Sequence, residues 1–357
     1  MEKEKNIEYN LDICKIIGAF LIVAIHCRPL TSLSDLMDFY LVDIVARLAV
    51  PFFFATTGYL LFRKFTFSED GRIIKCYSND KILLRYIKRI FILYISWSLI
   101  YLVVWQIPYW NSIGWSGIKV VIDYSISFFI KGSVYHFWYF VSLLYGVIIL
   151  YLLLRNIRMK FSICLAIIFY FVKAFIYGYS WINDSMFGSL NKIWNIFNGP
   201  FDGIGIALPF MMVGVIVSQR NMLYRVALKY KKIGLEISFI GLIIEASALF
   251  FEGRNEGKYS YILFTLPMCL FLFINILENS WGVSSDKLIF GIKLRKYSTV
   301  VFCIHPLIIN LLGFSEKFNS FNSLIKYISV ISITIVIATF MIRIRNKGNI
   351  KVLSFLM

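Results

Sequence analysis

The sequence predicts an all-α, polytopic transmembrane helical bundle of about ten helices, with both termini cytoplasmic. Of its 357 residues, 59% are hydrophobic, 18% are aromatic and only 16% are charged, whereas soluble domains carry about 25% charged residues. Apolar runs long enough for a helix to cross a hydrocarbon core of about 30 Å recur along the chain. The alternating segments of about ten residues that would predict a transmembrane barrel are absent from the sequence.

Ten apolar spans fit the hydropathy, and residues 120–131 are a candidate eleventh span or re-entrant piece. The spans cover residues 11–29, 39–62, 86–107, 135–154, 161–178, 201–218, 233–251, 259–277, 298–313 and 323–342. No small-residue cleavage site follows the first apolar run, which therefore predicts a retained helix rather than a signal peptide. We expect residues 1–345 to form a single transmembrane domain, followed by a short basic cytoplasmic tail at 346–357.

Basic residues determine the predicted orientation. With the N-terminus inside, the inner side receives 26 Lys and Arg residues, whereas the outer loops hold seven. This bias is the positive-inside pattern, and it accounts for most of the net charge of +17 without a nucleic-acid partner. The six scattered cysteines form no CxxC pair, which argues against a disulfide framework or a zinc site.

Two outer segments, residues 108–134 and 179–200, are rich in Trp, Tyr, Asn and Gly. Aromatic belts at the membrane interface explain much of this composition. A surface that faces carbohydrate has a similar composition, because aromatic faces and amide side chains suit sugars. Both interpretations stay open at this stage.

The first span contains three candidate functional residues, Asp12, Lys15 and His26. An ionisable group inside a bilayer is costly and is a functional hypothesis by default. Lys15 and His26 are eleven residues apart, close to three helical turns or about 16 Å, so they share one helix face. Asp12 can pair with Lys15 at helical spacing. The alternatives are an ion pair that only anchors the helix and a histidine that meets headgroups or water.

Arg47 lies near the outer end of the second span, about level with His26. Pro51 falls within the same span, where it removes a backbone hydrogen bond and should kink the helix. An arginine beside a histidine suits anion binding or the stabilisation of developing negative charge. It could equally snorkel to lipid phosphates.

His136 and His305 are the other two histidines of the chain. His136 and its neighbour Trp138 are candidate substrate-binding residues, although a core or belt position explains both. His305 is also a candidate substrate-binding residue, but beside Pro306 it could simply satisfy a carbonyl that the proline frees. No i, i+4 pair supports a metal-ligand set, so we predict no metal.

The inner loop ends in the basic segment KILLRYIKRI, which contains Arg85, Lys88 and Arg89. Positive-inside anchoring explains these residues without a function. Binding of an anionic ligand is the alternative, because clustered Arg and Lys suit phosphate groups.

Five segments in this order resemble the membrane acyltransferase-3 family. They are LDICKIIGAFLIVAIH, RLAVPFFFATTGYLL, RYIKRI, HFWYFVSLL and FCIHPLII. The resemblance covers nearly the whole chain and would make residues 1–345 a single acyltransferase-3-like domain. It implies His26 as the catalytic histidine and Arg85 and Arg89 as contacts of coenzyme A. Where the family pattern has an arginine eleven residues before that histidine, this chain has Lys15.

The resemblance implies a bacterial, multi-pass plasma-membrane enzyme. It would move an acetyl or other acyl group from cytoplasmic acetyl-CoA to a hydroxyl of an envelope or exported glycan. A histidine with a pKa of about 6.5 can accept the hydroxyl proton. Direct transfer and an acyl-histidine both stay open. The expected partners are membrane lipids, acyl-CoA and an extracytoplasmic glycan, with a homo-oligomer as a further possibility.

The chain also resembles the membrane half of the serine racemases of vancomycin-resistance operons. That half is similar to the acyltransferase-3 family but is associated with serine uptake. No soluble racemase domain is evident in these 357 residues. A membrane component for serine uptake is therefore the alternative function.

Overall fold

The computed structural model describes residues 2–112, 114, 117–179, 200–253, 259–279, 285–346 and 355–356. Most of these residues are helical, and a single antiparallel bridge joins Phe67 and Ile73 in one connecting loop. The helices are α1 (Glu2–Cys27), α2 (Asp35–Phe62), α3 (Tyr77–Ser112), α4 (Ile118–Ile130), α5 (Trp138–Asn156), α6 (Met159–Lys173), α7 (Pro200–Ser218), α8 (Met222–Lys229), α9 (Lys231–Phe251), α10 (Thr265–Glu278), α11 (Ser285–Gly313) and α12 (Ser323–Asn346).

The predicted all-α transmembrane bundle is confirmed. In the described part of the chain, seven helical segments are long and apolar enough to cross a membrane, and the pair α7–α8, bent by 84°, makes an eighth. The other two predicted spans, 161–178 and 259–277, coincide with the shorter helices α6 and α10, which accounts for the difference between eight and ten. The predicted outer segment 179–200 and the tail 346–357 lie largely outside the described residues.

Large apolar side chains cover the outer surface of the bundle. Leu99 of α3 is 56% exposed, Ile244 of α9 is 63% exposed and Val336 of α12 is 67% exposed. An apolar surface of this kind marks contact with another apolar phase. These faces therefore meet lipid in a transmembrane bundle.

α2 changes its helix type immediately before Pro51. It is a π-helix over Phe39–Val45 and a 3₁₀-helix over Ala46–Leu48, and α-geometry begins at Ala49. Pro51 has no N–H to offer to the carbonyl four residues earlier, at Arg47. The sequence predicted a kink at Pro51, and the structure shows a change of helix type before Pro51 within one continuous helical segment, Asp35–Phe62.

α2 and α7 cross at very close range in the larger of the buried clusters. A Cβ at Gly58 would lie 2.0 Å from the Met211 carbonyl oxygen, and a Cβ at Gly214 would lie 2.0 Å from that of Ala55. Small residues allow membrane helices to approach in this way. The crossing holds the face of α2 that carries Phe53 and Thr57 at a fixed place in the bundle.

α1 packs along α11 in a second buried cluster. Ala19 and Val23 of α1 and Val300 of α11 are fully buried there. Trp97 and Tyr101 of α3 close the cluster from another side. This cluster surrounds the three histidines described below.

One end of the bundle gathers the start of α1 and the loops after α2, α5, α8 and α10. The contacts that join them are Glu8–Arg63 at 3.0 Å, Asp70–Arg158 at 3.7 Å, Lys231–Asn279 at 3.2 Å and Asn10–Asn279 at 2.7 Å. We call it the basic end, after Arg63, Lys64 and Arg89. The charge pattern predicts that it faces the cytoplasm.

The opposite end is pinned by Arg28, directly after α1. Arg28 adopts a left-handed backbone with a φ of 49°, a position at helix ends where glycine is usual. Its guanidinium lies 2.6 Å from a carboxylate oxygen of Asp38 and 2.6 Å from one of Asp43, and both carboxylates are buried. These ion pairs hold the start of α2 against Arg28, the residue that directly follows the end of α1 at Cys27.

Candidate functional site

A cavity of about 350 Å³ lies between α1, α2, α3, α5 and α11, towards the basic end. Its lining contains five basic and two acidic side chains, which leaves three net positive charges. These residues are Lys15, Arg63, Lys64, Arg89 and Arg295 on the basic side and Glu8 and Asp12 on the acidic side. A concave site with an excess of one charge concentrates ligands of the opposite charge. The cavity is therefore suited to an anion that carries several charges.

Asp12 connects two of these cations in the cavity wall. The Lys15 Nζ lies 3.0 Å from Asp12 Oδ1, which confirms the predicted pair. Arg295 of α11 donates from Nε to Oδ1 at 3.0 Å and from Nη2 to Oδ2 at 2.8 Å. The Asp12 carboxylate is only 2% exposed, so one buried anion orients two cations.

Sequence reasoning missed Arg295. The predicted ninth span begins at residue 298 and therefore leaves Arg295 in a basic inner loop. The membrane-length part of α11 begins at Lys293 instead, so Arg295 lies on the helix wall. The available signal was spacing, since Arg295, Thr299 and Phe302 recur at the period of one helix face.

The three histidines of the chain come together beyond the end of the cavity that is farther from the basic end. The ring centroids of His26 and His305 are 5.2 Å apart, and those of His136 and His305 are 5.6 Å apart. His136 and His305 are buried, and His26 is partly buried. The sequence analysis considered these residues one by one, and their proximity depends on the packing of α1, α5 and α11.

The cavity points at this histidine cluster along three helices at once. Ile22 of α1 lines the cavity, and His26 is four residues further along. Phe302 of α11 lines it and precedes His305 by three residues, and Phe140 of α5 lines it four residues after His136, which lies in the 3₁₀ turn Tyr135–Phe137 that leads into α5. Because three to four residues make one helical turn, each histidine lies one turn beyond a cavity residue.

His305 is held in a fixed orientation by a break in the hydrogen-bond pattern of α11. Pro306 cannot donate to the Phe302 carbonyl, and the His305 Nδ1 lies 2.8 Å from that oxygen and 3.1 Å from the Val301 oxygen. Nδ1 therefore carries the proton, and Nε2 carries the lone pair. The sequence analysis offered His305 as the partner of a carbonyl freed by Pro306. Nδ1 takes that role with the Phe302 carbonyl, whereas Nε2 does not.

Tyr101 of α3 takes part in the next backbone hydrogen bond of α11, the one between the Leu307 amide and the Cys303 carbonyl. Its hydroxyl donates to the Cys303 carbonyl at 2.9 Å and accepts from the Leu307 amide at 3.2 Å. A side chain thus bridges two backbone groups that an unbroken helix would join directly. α11 is consequently clamped on both sides of His305.

Several ring nitrogens of the cluster have no hydrogen-bond partner within the described residues. The His305 Nε2 and both nitrogens of His136 are buried and make no bond of normal geometry there. Buried polar atoms without partners are costly and uncommon. A catalytic role is one of the recognised reasons for keeping them.

Phe302 separates the cavity from the histidines. Its ring centroid is 5.8 Å from that of His136 and 6.3 Å from that of His305. On the other side it packs on Tyr139 at 5.4 Å and Phe140 at 5.7 Å, which both line the cavity. On the α11 side, Phe302 is therefore the residue that stands between the cavity and the rings of His136 and His305.

The other predicted site residues occupy different places. The Arg47 Nη2 lies 3.4 Å from Asp43 at the histidine end, within electrostatic reach of His26. Trp138 faces α7, where a Cβ at Gly203 would meet its ring. It therefore packs away from the cavity lining.

The basic residues of α3 also differ in whether they reach the cavity. Arg85, Lys88 and Arg89 are all exposed, but Arg89 contributes to the cavity lining whereas Arg85 and Lys88 lie outside it. The structure brings one of the three predicted donor-binding residues to the cavity. Among the described residues, no group of three or more His, Cys, Asp or Glu side chains is arranged to hold a metal ion.

The outer side of the histidine cluster is aromatic. The Tyr135 ring lies 5.2 Å from that of His26, and Trp105 packs on Tyr135 at 6.3 Å. Tyr135 is 52% exposed. An exposed aromatic side chain therefore lies next to His26 on this side.

Comparison with known proteins identifies similarity over nearly the whole chain. The model of a family described as an acyltransferase domain matches residues 8–343. An amino-acid racemase from Enterococcus faecalis is 27% identical over 354 residues, which cover 94% of this chain and 46% of the relative. A serine/alanine racemase from Enterococcus gallinarum is 26% identical over 345 residues, which cover 91% of this chain and 44% of the relative.

The chain thus spans less than half the length of these curated relatives. No solved structure shows a significant match to it.

Proposed function

The chain belongs to the acyltransferase-3 family of membrane proteins, and we propose that it transfers an acetyl group from acetyl-CoA to a hydroxyl of an envelope or exported glycan. The observation that carries this proposal is the alignment of the basic cavity with the histidine cluster. α1 and α11 each place a cavity residue and a histidine one turn apart, and His136 lies in the 3₁₀ turn before α5, four residues from the cavity residue Phe140. An anionic donor and a proton acceptor can therefore meet within the membrane domain.

The cavity suits coenzyme A by charge and by shape. Coenzyme A carries several phosphate charges at one end of a long uncharged arm, and the cavity is basic at one end and apolar at the other. Arginine forks bind phosphate oxygens with two parallel hydrogen bonds. In this proposal Arg89 contacts the phosphates with its guanidinium fork, and Arg295, whose Nε and Nη2 bind Asp12, adds its charge and its remaining N–H groups. The thioester lies towards Phe302. A volume of about 350 Å³ is within the usual range for ligand pockets.

The reaction needs one base and a source of positive charge. The acceptor hydroxyl oxygen attacks the thioester carbonyl carbon and its proton passes to His26. The C–S bond then breaks, and His26 returns that proton to the thiolate, so that coenzyme A leaves as the thiol and the histidine is neutral again. Arg47 lies within electrostatic reach of His26, where it can stabilise the developing oxyanion. An intermediate acyl-histidine would use the same residues in two steps.

The acceptor is proposed to approach from the side opposite the cavity. There Tyr135 packs next to His26, and Trp105 packs on Tyr135. Aromatic faces suit the C–H faces of sugar rings, which supports a glycan as acceptor. With the predicted topology, the donor is cytoplasmic and the acceptor lies outside.

A second candidate function follows from the names of the relatives. Proteins named amino-acid racemase and serine/alanine racemase match this chain over nearly its whole length. The alternative is therefore a membrane component that handles serine, for example in its uptake. An excess of three positive charges in the cavity favours an anion over a zwitterion such as serine.

Labelled acetyl-CoA distinguishes the two functions. Bacterial membranes that contain the wild type or His26→Ala are incubated with acetyl-CoA labelled in the acetyl group, and the label in the glycan fraction is measured. We expect wild-type membranes to label the glycan and the variant to lose this signal. If neither labels glycan while cells gain serine uptake that does not depend on His26, the acyltransferase proposal is wrong. A structural subunit predicts that neither assay responds.

A further inference from the structure

We infer that Phe302 determines the length of the acyl group that the protein accepts, so that acetyl is favoured over longer chains. The inference rests on the proposed function, because it takes the cavity as the donor site. Phe302 is the residue of α11 that borders both the cavity and the histidine cluster. Its ring packs beside those of His136 and His305, so an acyl group that extends from the cavity into the histidine cluster meets it.

The end of the cavity is formed by three large side chains from three helices. Ile22 is 4% exposed and Phe140 is 3% exposed, whereas Phe302 is only partly buried. Ile22 and Phe140 therefore leave little of their surface free along the cavity. Phe302 has one free face along the cavity and is the side chain that can turn.

A backbone hydrogen bond limits how far Phe302 can move. Its carbonyl accepts from His305 Nδ1 at 2.8 Å, so displacement of the backbone would disturb the histidine. The ring must turn about its own side-chain torsions, within the space between Tyr139 and Phe140. A small group such as acetyl requires a small rotation, while each further methylene requires more space.

The size of the effect follows from the behaviour of apolar pockets. A single methylene that a pocket must accept or refuse changes discrimination by about 10- to 200-fold. Butyryl and hexanoyl groups add two and four methylenes to acetyl. Removal of the Phe302 ring should therefore change the ranking of these donors strongly.

The test measures the affinities of purified full-length protein for acetyl-CoA, butyryl-CoA and hexanoyl-CoA by calorimetry. Binding avoids the need to know the acceptor. The variants are Phe302→Ala and Phe302→Leu, and the matched control is Phe290→Ala. Phe290 is on the same helix, outside the cavity lining and 52% exposed.

We expect the wild type to bind acetyl-CoA at least about tenfold more tightly than hexanoyl-CoA. In Phe302→Ala this ratio should fall by about tenfold or more, in Phe302→Leu it should fall less, and in Phe290→Ala it should not change. Equal affinity of the wild type for all three donors would overturn the inference. An unchanged ratio in Phe302→Ala would do the same.

Folding is checked by the thermal unfolding midpoint of each variant. If Phe302→Ala does not fold, the ratio in Phe302→Leu decides, and an unchanged ratio there also overturns the inference. In those outcomes acetyl-CoA still binds, so the proposed function stands. Failure of the wild type to bind any of the three donors contradicts the proposed function itself, together with the inference built on it.

Discussion

Arg295 and Asp12 form a two-point ion pair in the cavity wall although 283 positions separate them in the chain. The guanidinium reaches both carboxylate oxygens, at 3.0 and 2.8 Å. The acyltransferase-3 pattern has an arginine where this chain has Lys15. Arg295 brings a guanidinium from α11 to the same carboxylate that Lys15 contacts, so the planar fork missing from α1 is present in the cavity.

We expect Arg295→Ala to weaken acetyl-CoA binding by about tenfold or more, since hydrogen bonds to charged groups contribute about 1.5–3 kcal/mol. Arg295→Lys should have a smaller effect, because it keeps the charge and loses the fork. Calorimetry measures both, with exposed Arg343→Ala as the control. Unchanged affinity together with a lower unfolding midpoint would assign Arg295 a purely structural role.

Lys15 and Arg295 share one carboxylate, so their variants should not be additive. We expect Lys15→Ala and Arg295→Ala each to reduce acetyl-CoA affinity, and the double variant to reduce it by less than both effects combined. Additive effects within about 0.5 kcal/mol would show that the two cations bind the donor independently. The measurement is a double-mutant cycle of dissociation constants at one salt concentration.

The first span illustrates what the sequence can predict. Helical spacing alone placed Asp12 next to Lys15 and put Lys15 and His26 on one face, because both statements concern a single helix. The pairing of Asp12 with Arg295 depends instead on the packing of α11 along α1. A local period carries no information about that contact.

The three predicted donor residues of α3 should differ in their importance. Arg89 lines the cavity, while Arg85 and Lys88 lie outside its lining. We expect Arg89→Ala to weaken acetyl-CoA binding about tenfold, and Arg85→Ala and Lys88→Ala to change it by less than about threefold, as single exposed charges contribute little. The effect of Arg89→Ala should shrink at high salt. Equal losses in all three variants would indicate a diffuse basic surface instead.

His26 should affect chemistry rather than donor binding, because it lies beyond the cavity lining. We expect His26→Gln to lower the transfer rate by about 10²- to 10⁴-fold, the range for loss of a general base. Its affinity for acetyl-CoA should stay within about twofold of the wild type, since the variant removes a group outside the donor site. A parallel loss of affinity and of unfolding midpoint would identify His26 as a packing residue.

The histidine cluster marks the limit of sequence reasoning in this protein. His26, His136 and His305 are distant in the chain, and each has an ordinary structural explanation when taken alone. The sequence did predict the link between His305 and the carbonyl freed by Pro306, because that link lies within one turn of one helix. It did not predict that α1, α5 and α11 bring the three rings within 6 Å of a neighbour, at 5.2 and 5.6 Å.

Arg28 provides a stability test at the histidine end. Its removal leaves the buried carboxylates of Asp38 and Asp43 without this cation, so Arg28→Ala should lower the unfolding free energy by about 2–3 kcal/mol. Arg28→Gly should lower it by about 1 kcal/mol less, because glycine tolerates the left-handed backbone. Detergent unfolding of both variants measures the difference. Arg158→Ala, which removes a mostly exposed arginine 3.7 Å from Asp70, should change little.

The hydrogen bond from His305 Nδ1 to the Phe302 carbonyl can be replaced by one from a backbone N–H at position 306. Pro306→Ala restores an N–H that can donate to the Phe302 carbonyl, which His305 Nδ1 contacts at 2.8 Å. In the wild type, His305→Ala leaves this carbonyl unsatisfied and should lower the unfolding free energy by about 1–3 kcal/mol. In the Pro306→Ala background the same substitution should cost about 1 kcal/mol less.

Acetyl transfer in the same four proteins separates the structural role of His305 from a role in the reaction. If His305 contributes only the bond to Phe302, the double variant His305→Ala/Pro306→Ala should recover the transfer rate of Pro306→Ala. We expect it to regain stability but not rate, because the imidazole beside His26 is still missing. Recovery of both would show that the histidine serves α11 alone, and recovery of neither would show that the restored amide does not reach the carbonyl.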